Sequence, residues 1–282
     1  MRIAVFGMGN MGRAFGTRAL ERGHQVAVWN RSPGRAAPLI ANGAVESSLE
    51  GAVSSADVVL LVLADDDAVL DVCMGDGGIL ASLGPSTVLA NVSTVSPDTV
   101  RHVAANGPAD RVLDAPVMGA PENVAAGHGR FFVGGPLPTI NSCDPLWTDL
   151  GAGYTHCGPV GTAAVMKLIS NLLLITGVAA LAETIATARS HGISDELLQN
   201  VFTGSPVISP TSAIRLKSVL NPDHPGWFSP TLARKDLRLA VGLARQKGLS
   251  VRIGPATDAL LTAVVDSAEE WPDFSSVIEA LA

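Results

Sequence analysis

No block of lysine or arginine runs along this chain of 282 residues, and its 19 basic side chains are outnumbered by 26 acidic ones, for a net charge of −7. Such a chain carries no electrostatic footprint for nucleic acid or for an anionic membrane surface, and neither partner is expected. Cysteine is scarce: Cys73, Cys143 and Cys157 make an odd count with no C-x-x-C pair. That argues against a disulfide framework or a zinc site and leaves three small core residues. The chain opens MRIAVFGMGN, where a short apolar stretch meets glycine too early for a signal peptide or a membrane span, so the expected address is the cytoplasm. The six histidines are scattered, no Ser/His/Asp constellation or metal-ligand cluster is legible, and no metal is expected. What remains is 47% hydrophobic and 16% charged, an ordinary globule of one large or two moderate domains with a sizeable core.

Glycine is where the chain becomes specific. The apolar run RIAVFG stops at glycine as a strand buried on both faces does. Gly7-Met8-Gly9-Asn10-Met11-Gly12 follows, and then an amphipathic segment ending at Gly23. In this G-x-G-x-x-G spacing the first glycine permits the tight turn, the second lets backbone approach a pyrophosphate, and the third lets helix and strand pack closely. Met8, Asn10 and Met11 complete the loop largely through their backbones, and the helix N-terminus faces the phosphates.

The second strand, QVAVWN, runs into Asn30-Arg31-Ser32. An NAD enzyme places an acid here on the ribose hydroxyls. This chain has no carboxylate to repel an extra phosphate, while Arg31 offers a forked cation and Asn30 and Ser32 offer hydrogen-bonding groups. The cofactor expected is NADP(H), with a merely solvated turn arginine as the competing account. Strands at 56–64 and 86–94 alternate with the helical DDDAVLDVC, so the fold class is α/β with a doubly wound parallel sheet, and ligand is expected beyond the carboxyl ends of its strands. Leu63, at such an end, is counted among the cofactor-binding residues. Asp65, Asp66 and Asp67 suit a helix dipole and need no chemistry.

Seven motifs then occur in one order: GMGNMG, WNRS, NVSTVSP at 91–97, DAPVMGAPENVAAG at 114–127, GPVGTAAVMKLISN at 158–171, ARKDLRLA at 233–240, and DFSSVIEAL near the end. Together they cover nearly the whole chain and resemble the beta-hydroxyacid dehydrogenases, a family that includes 3-hydroxyisobutyrate dehydrogenases and NADPH-dependent glyoxylate and succinic semialdehyde reductases. The resemblance implies an N-terminal Rossmann domain (1–158), a long interdomain helix (159–191) and a C-terminal all-α domain (192–282), with the active site in the cleft between domains and a homodimer as the assembly. The residues themselves agree about the helix. From Pro159 to His191 there is no further proline, alanine and leucine abound, and Gly192 is placed to cap the C-terminus.

Lys167 sets one ammonium in an apolar run, and snorkelling of its stem is the ordinary account. The resemblance implies instead that Lys167 is the acid–base group, because a positioned ammonium meets charge developing on a carbonyl oxygen both as general acid and as electrostatic stabiliser. Asn171, four residues on, lies on the same helix face and would hold the substrate oxygen with Ser93. Thr94 would lie beside the nicotinamide, and Lys235 would reach the cofactor. For Ser93 and Thr94 the competing account is strand-end hydrogen bonding, and for Lys235 it is a solvated ion pair with Asp236.

The family's substrate loop usually reads D-x-P-V-S-G-G. Here Met118 replaces the serine and Ala120 the second glycine. Met118, Gly119 and Ala120 are the substrate-binding candidates, the last two through backbone amides. Imine reductases share the architecture and often carry apolar substitutions in this loop, but usually lack the lysine. Retention of Lys167 and Asn171 favours an NADPH-dependent reductase of a small aldehyde or keto acid. An imine reductase is the alternative, and a non-catalytic NADPH-binding scaffold stands third.

Overall fold

The computed structural model describes residues 1–281. The strands are β1 (Arg2–Phe6), β2 (Gln25–Trp29), β3 (Val45–Glu46), β4 (Val58–Leu61), β5 (Val88–Asn91), β6 (Val112–Asp114), β7 (Val117–Met118), β8 (Arg130–Gly134) and β9 (Tyr154–Gly158). They form one sheet in the order β3-β2-β1-β4-β5-β6-β8-β7, with β9 on β8. The pairs from β3 through β6 are parallel, and β8 runs antiparallel to β6 and β7. The chain leaves β1 in one direction and returns to β4 on its other side, which opens a crevice at the carboxyl ends of these two strands.

Alternate residues of β1 serve two cores. Ile3 and Val5 join one with Phe15, Val28, Leu60, Phe131 and Trp147. Ala4 and Phe6 join the other with Val59, Leu61, Leu89 and Val100. This is the period of two expected of a strand covered on both faces, and each such large side chain contributes about 1.5–3 kcal/mol on burial. β4 and β5 are shorter than the apolar runs at 56–64 and 86–94, by two residues at the start and three at the end.

Gly7 turns the chain at φ +99°, and a Cβ there would collide with the carbonyl oxygen of Val62. A Cβ at Gly12 would collide with the carbonyl of Gly7. The spacing of the first and third glycines is thus a packing requirement between β1, the end of β4 and the helix Asn10–Glu21.

By compactness the chain divides into Met1–Lys167 and Leu168–Ala282. The helix Thr162–Ser190 has 29 residues, about 43 Å at 1.5 Å per residue. It ends as the sequence suggests: the amides of Gly192 and Ile193 bond the carbonyls of Arg189 and Ala188 at 2.9 and 3.1 Å, a Schellman motif. It is the one helix among the described residues long and apolar enough to cross a membrane, at a mean hydropathy of 1.9, a feature that the N-terminal stretch alone does not reveal. Its buried residues Ile175, Val178, Leu181, Ala182 and Ile185 form the core of the second unit with Leu216, Leu237, Leu261 and Phe274, as a core helix does. Later helices start on serines: Ser194, Ser209 and Ser229 each accept an amide of the first turn. The turn before Ser229 is held by Asp273, whose buried carboxylate accepts from the amides of Trp227 and Phe228 and from the guanidinium of Arg215.

Candidate active site

The helix that follows the glycine loop starts without a cap. Gly9 stands at its N-cap with no side-chain hydrogen bond, and no acidic residue lies in its first turn. Its first amide donors are therefore left for an anion. A Cβ on Gly9 would meet nothing within 4 Å, so the backbone there borders open space, which suits a pyrophosphate. The loop is braced from within. Met8 donates its amide to Asn30 Oδ1 at 2.9 Å, and Asn30 Nδ2 donates to the Ser32 carbonyl at 2.7 Å. The Met8 amide and both ends of Asn30 are thus spent on the shape of the cradle, and Arg31 and Ser32 stand exposed beside it. Arg13 adds a clasp the motif does not announce, donating to the Met8 carbonyl at 2.8 Å and to Asn10 Oδ1 at 2.9 Å.

Beyond β4 and β5 the chain ties a second knot. Ser93 Oγ accepts from the Leu63 amide at 2.8 Å and donates to the Leu61 carbonyl at 3.1 Å. Asn91 Nδ2 donates to the Ser93 carbonyl at 3.2 Å. The hydroxyl proton of Ser93 is therefore used by the backbone, and one lone pair remains to it; Thr94 follows, half-buried. The acidic run is structural in both residues whose contacts are defined. Asp65 caps its helix through the Ala68 amide, and Asp66 receives the Ser96 amide at 2.9 Å and the Thr99 hydroxyl at 2.5 Å.

The third constellation joins the loop 114–120 to the start of the long helix. Asp114, fully buried, accepts the Ala164 amide at 2.9 Å. Burial pushes its carboxyl above the usual range, against the opposing pull of the Ala164, Gly161 and Ala163 amides. Four residues later Met118, half-buried, takes Lys167 Nζ on its sulfur at 3.8 Å. Gly119 is exposed at φ +146° and Ala120 opens the short helix Pro121–Ala125.

One turn past Lys167 on the same helix stands Asn171, buried. Its Nδ2 donates to Asp236 Oδ2 at 2.6 Å, and Lys235 Nζ lies 2.9 Å from Asp236 Oδ1. The carboxylate thereby chooses which end of the Asn171 amide faces it and leaves the amide oxygen for another donor. Asp236, an ion-pair partner of Lys235 by sequence, is a candidate site residue through its bond to Asn171. Its adjacency to Lys235 was visible, but its meeting with Asn171 spans 65 residues.

Residues 2–158 match the family model for the NAD binding domain of 6-phosphogluconate dehydrogenase, and residues 161–281 match that for the NAD-binding of NADP-dependent 3-hydroxyisobutyrate dehydrogenase. The chain is 31% identical over 288 residues to a 3-hydroxyisobutyrate dehydrogenase of Pseudomonas aeruginosa, covering 98% of this chain and 96% of that protein. It is 30% identical over 286 residues to an NAD-dependent L-serine dehydrogenase of the same organism, with the same coverage. Among solved structures, Mycobacterium tuberculosis 3-hydroxyisobutyrate dehydrogenase with L-serine is similar at a TM-score of 0.86 and 29% identity, covering 100% of this chain and 99% of that one. With both halves of the chain matched and its glycine loop built to receive a dinucleotide, the protein belongs to the beta-hydroxyacid dehydrogenase family and is an NAD(P)-dependent oxidoreductase.

Proposed function

We propose that the protein is an NADP(H)-dependent reductase, reversible in principle, that interconverts a small aldehyde or keto acid with its alcohol or hydroxy acid. The observation that carries this reading is the Lys167 amine, held against Met118 of the substrate loop at 3.8 Å, with the Asn171 amide one helical turn on and oriented by Asp236. When bound, the nicotinamide would supply or receive the hydride. Lys167 gives its proton to the carbonyl oxygen during reduction and takes it back during oxidation, an effect of about a hundred- to ten-thousand-fold for a positioned acid. Asn171 orients the carbonyl oxygen through the second hydrogen of its Nδ2, the remaining lone pair of Ser93 accepts from a donor group of the substrate, and the amides of Gly119 and Ala120 hold the rest of the substrate. Gly7, Gly9 and Gly12 bring backbone to the pyrophosphate, Arg31 and Ser32 receive the ribose phosphate, and Leu63, Thr94 and Lys235 complete the cofactor set. The assembly is a homodimer working in the cytoplasm. Ile169 and Leu173 of the long helix, 43% and 75% exposed, supply apolar surface for a second copy.

Loss of NADPH absorbance over a panel of aldehydes, keto acids and cyclic imines tests the reading. Carbonyl compounds are expected to turn over, and Lys167→Ala to lose about a hundredfold or more; near-normal turnover by that variant refutes the lysine mechanism. The Michaelis constant for NADPH is expected about tenfold below that for NADH, the worth of one good charge-assisted contact, and Arg31→Ala to erase the difference. Equal constants in the unaltered protein remove the NADP(H) assignment. Met118 favours a second reading, imine reduction, because a thioether offers no O–H donor to a carboxylate or carbonyl. Cyclic imines consumed faster than every carbonyl in the panel would establish it.

A further inference from the structure

We propose that Asp114 is the positioning residue for Lys167: from the end of β6, its carboxylate sets the depth at which the long helix presents the amine beside Met118. The proposal rests on the reading of Lys167 as the proton-transfer group, but its geometry stands apart from any substrate. Two short segments, 114–118 and 164–167, run alongside one another and are joined at both ends. At one end the Ala164 amide donates to Asp114 Oδ2 at 2.9 Å. At the other, Lys167 Nζ meets Met118 Sδ at 3.8 Å. With the joints only four positions apart on one side and three on the other, the amine cannot slide along the loop unless the helix first comes away from Asp114.

The helix has no side chain of its own at the place where such an anchor is needed. Gly161 precedes Thr162, and the Thr162 hydroxyl is turned back to the Pro159 carbonyl at 2.6 Å. The first amides of this helix would be orphaned. The carboxylate that takes the Ala164 amide arrives from 50 residues earlier in the chain, where negative charge at a helix N-terminus is favourable.

Asp114 itself has nowhere to go. It is fully buried in the sheet. On one flank its register partner is Gly134 of β8, so close that a Cβ there would strike Asp114 Oδ1. On the other flank its partner is Asn91 of β5, the residue that holds the Ser93 carbonyl. The sheet thus fixes the carboxylate from both sides, and the carboxylate passes that rigidity to the first turn of the helix and so to the amine. A lysine that merely snorkels needs none of this.

Reductive methylation of the intact protein, read lysine by lysine by peptide mass spectrometry, tests the proposal without a substrate. Asp114→Ala is expected to speed labelling of Lys167 about fivefold, the population shift that loss of one hydrogen bond allows, while exposed Lys217 and Lys247 keep their rates. Gly134→Ala, which displaces the carboxylate without removing it, is expected to do the same. Asp114→Asn keeps an acceptor for the Ala164 amide and is expected to recover most of the loss. With NADPH and succinic semialdehyde, Asp114→Ala is expected to lower kcat about tenfold at an unchanged KM for NADPH, and to add nothing in a Lys167→Ala background. Unchanged Lys167 labelling in both Asp114→Ala and Gly134→Ala overturns the proposal, and so does a rise shared by every lysine, which marks general loosening. Wild-type turnover by Lys167→Ala alone would instead overturn the proposed function, with the labelling result still deciding whether Asp114 sets the amine's position.

Discussion

Replacing Asp236 by asparagine removes one charge and almost no volume, and the site should register the difference. The carboxylate accepts Asn171 Nδ2 at 2.6 Å and lies 2.9 Å from Lys235 Nζ. An asparagine can satisfy only one of these, because if its oxygen faces Asn171 its own NH2 group faces the ammonium, donor against donor. A hydrogen bond to a charged group contributes about 1.5–3 kcal/mol. The Lys235 side chain is 21% exposed and can turn toward water, so the larger penalty of an uncompensated buried charge does not apply in full. If the loss falls on the orientation of the Asn171 amide, kcat/KM should drop by about ten- to a hundred-and-fifty-fold, at about 1.4 kcal/mol per factor of ten. The assay is steady-state reduction of the most active panel substrate by NADPH, run beside Asn171→Ala and the double variant. The double variant should be no worse than Asn171→Ala by more than about threefold, because the two residues act through one amide. Asp236→Asn within twofold of the wild-type kcat/KM would refute the reasoning.

Three further outcomes concern stability and reactivity. Burial holds the His24 imidazole below its ordinary value; the unfolded chain then binds a proton that the folded one refuses, so stability should fall as pH drops through about 6.5. The hydrogen-bonded carboxylates Asp57, Asp149 and Asp195 are held low chiefly by Arg2, Arg22 and Arg189; their contribution is present above about pH 4 and is lost on further acidification. Melting temperature against pH should show both declines, and His24→Gln should remove the upper one. Asp273→Ala leaves the buried Arg215 guanidinium without its carboxylate, between the rings of Trp227 and Phe274, and should cost about 3–5 kcal/mol in denaturant unfolding. Burial pushes the Cys73 thiol up to about 12, so a disulfide reagent at neutral pH should label Cys73 only after denaturant is added.

Local chemistry explains why much of this protein could be read in one dimension. Gly7 and Gly12 carry their meaning in spacing, because the turn and the close approach they permit involve neighbours within a few residues and one strand end. The long helix and its cap at Gly192 were visible for the same reason: a Schellman motif closes within a few residues. The alternation of apolar runs and helices sufficed for the α/β class and the parallel sheet, since the burial period of a strand is a property of the strand.

The remaining decisions belong to contacts that no local pattern encodes. Asn30 looked like a phosphate ligand, yet it spends its amide on Met8 and Ser32. Ser93 reads in sequence as a substrate-side hydroxyl, and the structure adds that its proton goes to the Leu61 carbonyl across 32 residues, which leaves it only as an acceptor. Asp114 was one letter of a loop motif until the sheet set it under the Ala164 amide, and Asp236 was half of an ion pair until it met Asn171. Backbone sterics and side-chain periodicity act over a few residues, so β1, β2, β4, β5, the long helix and the residue types on hand for chemistry could be read along the chain. Which polar groups are consumed in holding these segments together emerges only from the folded chain, because a hydrogen bond closes over about 3 Å however far apart its partners lie in sequence.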